Sequence, residues 1–138
     1  MAKVSAKENT IFAVGRRKTA VASIFLNKGK GKFLVNNTPI NEYFGTEKDQ
    51  GKWVKPFFVA GLSNPELAYS ATIKVSGSGK TGQIEAVALA ISKALIQDLP
   101  ELRPSLRKQN LLTRDPRMVE RKKPYLRKAR KAPQYSKR

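Results

Sequence analysis

Apolar and polar residues alternate in short bursts along the first third of the chain, and the period then lengthens. Residues 10–14 and 20–26 are runs of β-branched and apolar side chains, the mark of strands. Asn27-Lys28-Gly29-Lys30-Gly31 reads as a turn, and 32–35 is expected to pair back as a hairpin. Asn36-Asn37-Thr38-Pro39 is a second turn. Strict alternation appears at 69–75. Tyr69, Ala71, Ile73 and Val75 share one face, and Ser70, Thr72 and Lys74 share the other, as in a half-buried strand. From Thr81 the period becomes helical. Ile84, Val87, Ala88, Ile91 and Leu95 form one buried stripe of a helix running to Asp98, and Pro100 stops it. Residues 52–62, with Trp53, Phe57 and Phe58, are expected to be helical despite Pro56. A short helix is expected at 105–109, after Pro104.

This order of elements predicts an α+β fold: a two-layer core with a roughly four-stranded sheet and helices on one face. The core spans residues 10–109, after a flexible N-terminus at 1–9. Residues 110–138 form an extended basic tail. Beyond Leu112 the bulky apolar residues thin to Met118, Val119, Tyr125, Leu126 and Tyr135. These are too few to offset the ordering entropy of so long a segment. The tail is expected to be disordered alone and to fold against a partner.

Charge identifies the kind of partner. The 138 residues hold 28 Lys or Arg and 10 Asp or Glu, a net +18. Residues 103–138 carry 14 of the cations against Asp115 and Glu120 alone, so two thirds of the excess lies in the last quarter. A polyanion relieves such self-repulsion, and nucleic acid is the commonest one. A membrane surface is not expected, because the most basic segment lacks the bulky apolar face an interfacial helix needs. No run approaches the ~18 apolar residues of a spanning helix, and the first ten residues contain no apolar signal core. The chain has neither cysteine nor histidine. Disulfides, thiolate chemistry, the usual zinc ligands and the commonest general base are therefore excluded. No catalytic residue, metal or cofactor is expected.

Within this frame four stretches carry candidate chemistry. Gly15-Arg16-Arg17-Lys18 sets three cations in a row beside a glycine that admits close backbone approach, and the arginines can fork onto phosphates. Ser76-Gly77-Ser78-Gly79-Lys80-Thr81-Gly82 lies between a strand and a helix and resembles a phosphate loop. The position five before Gly79 is Lys74, not glycine, and no strand ending in a magnesium-binding Asp follows. A glycine turn holding an RNA phosphate through Lys80 is the functional reading that remains. In the tail, Arg114, Arg117, Arg121, Lys122 and Lys123 precede Arg127, Lys128, Arg130 and Lys131, with Tyr125 and Tyr135 as stacking faces. Pro116, Pro124 and Pro133 keep the tail extended. Asp115 and Glu120 are each flanked by cations and are expected to pair with them rather than to catalyse.

The chain resembles the bacterial-type small-subunit ribosomal protein S-nine family. The marks are Gly15-Arg16-Arg17-Lys18, Glu42-Tyr43-Phe44, the glycine loop with Gly82-Gln83, Leu112-Thr113-Arg114-Asp115 and Val119-Glu120-Arg121-Lys122-Lys123. Lys128-Ala129-Arg130 and Pro133-Gln134-Tyr135-Ser136-Lys137-Arg138 complete them. The resemblance implies a left-handed βαβ crossover in the core, a seat in the head of the small subunit and a cytoplasmic, ribosomal location. It also implies three partners: small-subunit ribosomal RNA, peptidyl-site tRNA reached by Ser136, Lys137 and Arg138, and neighbouring head proteins. No DNA partner is expected. Three departures stand out. The family usually has glycine where this chain has Ser78, Asn110 and Tyr125.

Overall fold

A computed structural model gives the fold and describes residues 10–134. It contains β1 (Thr10–Arg17), β2 (Ala20–Lys28), β3 (Phe33–Val35), β4 (Thr38–Pro39), α1 (Ile40–Tyr43) and α2 (Glu47–Val59). Then follow α3 (Pro65–Ala68), β5 (Tyr69–Ser76), α4 (Lys80–Asp98), a 3-10 turn (Pro100–Leu102) and α5 (Arg103–Lys108). The architecture is α+β, as expected, with one strand more than the four anticipated. The sheet order is β1-β2-β5-β3-β4.

The sheet corrects one pairing. The short strand after the first turn does not fold back on β2. β5 lies between them, antiparallel to β2 and parallel to β3. The physical reason is the supply of partners. β5 offers eight residues to β2 in unbroken register, Val21↔Ser76 through Lys28↔Tyr69, whereas β3 has only three. The intervening loop is held over the end of β5 by backbone bonds from Gly29 N–H to the Ala68 carbonyl and from Gly31 N–H to that of Glu66. The hairpin that does form is β3–β4, across Asn36 and Asn37 at φ 49° and 67°. Both residues tolerate the left-handed region a tight two-residue hairpin needs. Asn36 then exchanges side-chain hydrogen bonds with the Val75 N–H and carbonyl, 3.0 Å each, prolonging the β3–β5 pairing.

Helix α4 lies on the sheet, and its burial is wider than one stripe. Besides Ile84, Val87, Ile91 and Leu95, it buries Ala86, Ala90 and Ala94, because β1 and β2 pack on one side and α2 on the other. Gly15 makes this close approach possible. A Cβ there would overlap the backbone of Ala86 and Ala90, so this glycine brings β1 onto α4. Around β3, Phe33 stacks obliquely on Trp53 at 5.2 Å and edge-on to Phe57 at 5.4 Å. Pro56 sits inside α2 with its ring buried. Leu106 of α5 is fully buried, and Leu111 and Leu112 pack against the same core. From residue 113 to 134 no helix or strand forms.

At the far end of α4, Asp98 joins helix to sheet. Its carboxylate accepts from the Tyr69 hydroxyl at 2.5 Å and from Lys28 Nζ at 2.7 Å. Burial works to raise its pKa, but the hydrogen bonds from Lys28 and Tyr69 outweigh it and hold Asp98 below the ordinary carboxylate range. Burial first, and then the bond to Asp98, push the Tyr69 phenol well above its ordinary value.

Candidate nucleic-acid interface

The candidate cations gather at the opposite end of the sheet, where three segments meet. The first is the turn between β1 and β2. The strands pair as far as Arg17↔Ala20, so Arg16 and Arg17 belong to a strand that runs past the expected end at residue 14. Lys18, at φ 53°, occupies the tight turn and is exposed. The second segment is the glycine loop. Gly77, at φ 80°, lies so close to the Thr19 carbonyl that a Cβ would overlap it, which sets the loop directly beside the basic turn. The third is the base of the tail, described below.

Strand parity separates the neighbouring arginines. Ile11, Ala13, Gly15 and Arg17 share the helix-facing side of β1, while Arg16 points the other way and is exposed. Arg17 is only 13% exposed. Its guanidinium pairs with Glu85 of α4 and lies 3.5 Å from Asp115, and its Nη1 donates to the Arg117 carbonyl at 2.9 Å. It therefore ties the start of the tail to the core. Arg117 closes the knot by bonding back to Asp115 through Nε and Nη2 at 2.7–3.0 Å. Chiefly through these Arg117 bonds, the Asp115 carboxyl is drawn down to about 2.

Lys80 opens α4 behind Gly79, which supplies no side-chain cap, so first-turn N–H groups of the helix stay open to an acceptor. The Lys80 ammonium stands 5.2 Å from the centre of the Tyr43 ring. The Tyr43 hydroxyl donates to Gln83 Oε1 at 2.7 Å, and Gln83 Nε2 donates to the Gly77 carbonyl at 3.1 Å. This chain of contacts fixes the glycine loop against α1 and α4 and explains why Tyr43, Gln83 and the loop belong together.

Two cations escaped notice in the sequence. Lys52 and Lys55, one helical turn apart on α2, line a cleft of about 310 Å³ with Arg16, Arg17 and Arg117. Their i, i+3 spacing was the available signal. Along the tail, Arg114, Arg121, Lys122, Arg127, Lys128 and Lys131 are exposed. Glu120 pairs with Lys123 and, ten residues on, with Arg130 at 2.9 Å. Both tail acids thus pair with cations, Asp115 with its near neighbour Arg117 as expected, Glu120 with partners farther along than its flanking cations. Ser136, Lys137 and Arg138 lie outside the described residues. Among the described residues no cluster of acids could hold a metal ion, and no helix is long and apolar enough to cross a membrane.

The profile of the family described as ribosomal protein S9/S16 matches residues 15–138. The small ribosomal subunit protein uS9 of Chlorobaculum tepidum is 50% identical over 131 residues, covering 95% of this chain and 99% of that protein. The protein of the same name from Chlorobium limicola is 44% identical over 131 residues, with the same coverage. That of Crocosphaera subtropica is 46% identical over 134 residues, 96% of each chain.

Proposed function

The chain belongs to the ribosomal protein S9/S16 family, a structural and non-enzymatic component of the small subunit, and from that premise we propose that it grips ribosomal RNA and reaches peptidyl-site tRNA with its tail. The observation that carries this reading is the convergence at one end of the sheet. The basic turn, the glycine loop with Lys80 and the start of the tail all meet there.

The chemistry is phosphate neutralisation. Arg16, Lys18 and Lys80 take RNA phosphates at the sheet end, with Lys80 aided by the open N–H groups of the first turn of α4. Arg114, Arg117, Arg121, Lys122, Lys123, Arg127, Lys128, Arg130 and Lys131 continue the grip along the tail. Each phosphate neutralised releases condensed counterions, so binding falls steeply with salt. Arg17 acts at one remove, aiming the tail. In the subunit head, RNA and neighbouring proteins replace the tail's internal ion pairs. Phosphate contacts carry no base information, which is what a site serving every tRNA requires.

The tail tip tests this reading. Deleting Ser136-Lys137-Arg138 should leave assembly intact, since most cations remain. Each charge-assisted hydrogen bond lost is worth on the order of 1.5–3 kcal/mol before solvent exposure reduces it. Peptidyl-site tRNA should therefore bind more weakly, with a salt slope shallower by roughly one unit per contact. Filter binding of several tRNAs to reconstituted subunits across a salt series measures both. Unchanged affinity and slope would remove the tip from tRNA binding, and a loss confined to one tRNA would mean that it reads sequence.

A further inference from the structure

The sheet has two faces, and among the described residues helices cover only one. α4 packs on the face bearing Ala22, Ile24, Ala71 and Ile73. On the opposite face, the register sets Phe12, Phe25, Thr72 and Leu34 in one row across β1, β2, β5 and β3. The Phe12 and Phe25 rings stand 5.1 Å apart, tilted by 47°, and Phe12 is 50% exposed. The next row carries Val14, Ser23 and Lys74, and the one after it Arg16, Val21 and Ser76. Successive rows lie about 7 Å apart.

Charge separates this face from a core awaiting a second layer. The five strands contain no Asp or Glu, although the chain has ten acids. The hydroxyls of Thr72, Ser23 and Ser76 share the rows of the aromatic pair, of Lys74 and of Arg16 in turn. A helix or second sheet would need these positions apolar, since each buried hydroxyl without a partner costs free energy. Unpaired nucleotides need what is present: a ring to stack on, hydroxyls for base edges and cations for the backbone.

We infer that the open sheet face is a second RNA surface. It takes an unpaired stretch of ribosomal RNA, with a base stacked on the Phe12–Phe25 pair and the backbone running toward Lys74 and Arg16. The inference rests on the reading that this chain's partner is ribosomal RNA. It adds stacking on the sheet to the phosphate contacts of the turn and tail.

The test places a photoreactive benzoylphenylalanine at position 12 of the full chain, assembles small subunits, irradiates them and sequences the products. The expected product is a crosslink to an unpaired RNA nucleotide. Phe12→Thr keeps a strand-favouring residue, and its folding is checked by thermal melting of the free protein. In assembled subunits it should make that nucleotide several-fold more reactive to base-modifying reagents, while protections along the tail stay unchanged. Crosslinks only to another protein or to residues 1–9 of this chain would overturn the inference. So would normally assembled particles with no crosslink. If the full-length, unsubstituted chain failed to enter the particle, the proposed function would fall, and this surface with it.

Discussion

β2 sets Ala22, Ile24 and Leu26 out of water, whereas the stretch from 113 to 134 buries no side chain. The two regions hold their shapes by different forces. In the core, apolar area leaves water at roughly 25 cal/mol per Å², a gain that ionic screening does not diminish. In the tail, Asp115 and Glu120 hold Arg117, Lys123 and Arg130 through pairs open to solvent. Such pairs add little to stability and weaken as salt rises. A shape held so lightly is easily traded for contacts with a polyanion, and a shape held by burial is not. The boundary between stable core and adaptable tail is thus a boundary between two kinds of force.

The sharpest way to break this contrast is to strike where the core is tightest. Gly15→Ala drives a methyl into the Ala86 and Ala90 backbone, and neither side can yield without moving a strand or a helix. It should cost at least about 3 kcal/mol in urea unfolding, whereas Gly45→Ala, with open space around it, should cost less than about 0.5 kcal/mol. A cost under about 1 kcal/mol at Gly15 would mean that β1 and α4 are not in close contact. Next comes the same truncation made on each side of the boundary. Leu106→Ala empties a fully buried site and should cost about 2–5 kcal/mol. Leu126→Ala should change free-protein stability by less than about 0.5 kcal/mol. Equal effects would erase the distinction between the regions.

Acid should act on the buried carboxylate before it acts on packing. Asp98 has a folded pKa below its unfolded value of about 3.9, so its contribution is present above that value and lost as pH falls through the folded one. Tyr69, with its folded pKa raised, keeps its contribution below about pH 10 and loses it only in stronger base. Asp98→Asn should cost about 1–2 kcal/mol at pH 7, and the gap to the unsubstituted protein should narrow steadily in melts taken below about pH 4. A constant gap down to pH 2 would mean that the Lys28 and Tyr69 contacts do not depend on the charge.

The smallest expected effect comes from non-glycine residues in the left-handed region. Ser78, Asn110 and Tyr125 all adopt positive φ, at 53°, 58° and 66°. The backbone conformation that favours glycine is therefore kept where glycine is not, at a steric cost that asparagine bears best. Ser78→Gly should stabilise the free protein by about 0.5 kcal/mol, the relief of strain partly offset by the freer unfolded chain. Thermal melting checks the sign, and a loss of stability would show that the Ser78 side chain contributes more than its strain costs.

What the sequence revealed follows the range of the forces involved. β2 was legible as a run of apolar and β-branched residues, and β5 and α4 because their periods of 2 and 3.6 are written in consecutive residues. The β3 pairing was not, because a parallel neighbour 38 residues away, as in Phe33↔Ala71, leaves no local trace. The double-sided burial of α4 was hidden likewise, since alanine on a helix fits a close contact and an exposed face equally well. At the candidate interface, the charge excess announced nucleic acid without saying which cations face it. Arg17 looked like its neighbours Arg16 and Lys18. The alternation Ile11, Ala13, Gly15, Arg17 carried the clue that it turns inward, provided the strand was extended past Val14.

The bond from Arg17 to the Arg117 carbonyl also sets the geometry of a tether. It fixes one end of the 17 described residues that follow Arg117. A flexible chain of that length reaches roughly 20–25 Å in root-mean-square terms. Once the core has docked, the tail searches only that small volume, at an effective concentration in the millimolar range. Contacts too weak to hold a free peptide then suffice to hold the tail. Breaking the bond would lengthen the tether by only a few residues, so what Arg17 governs is the direction in which the search begins.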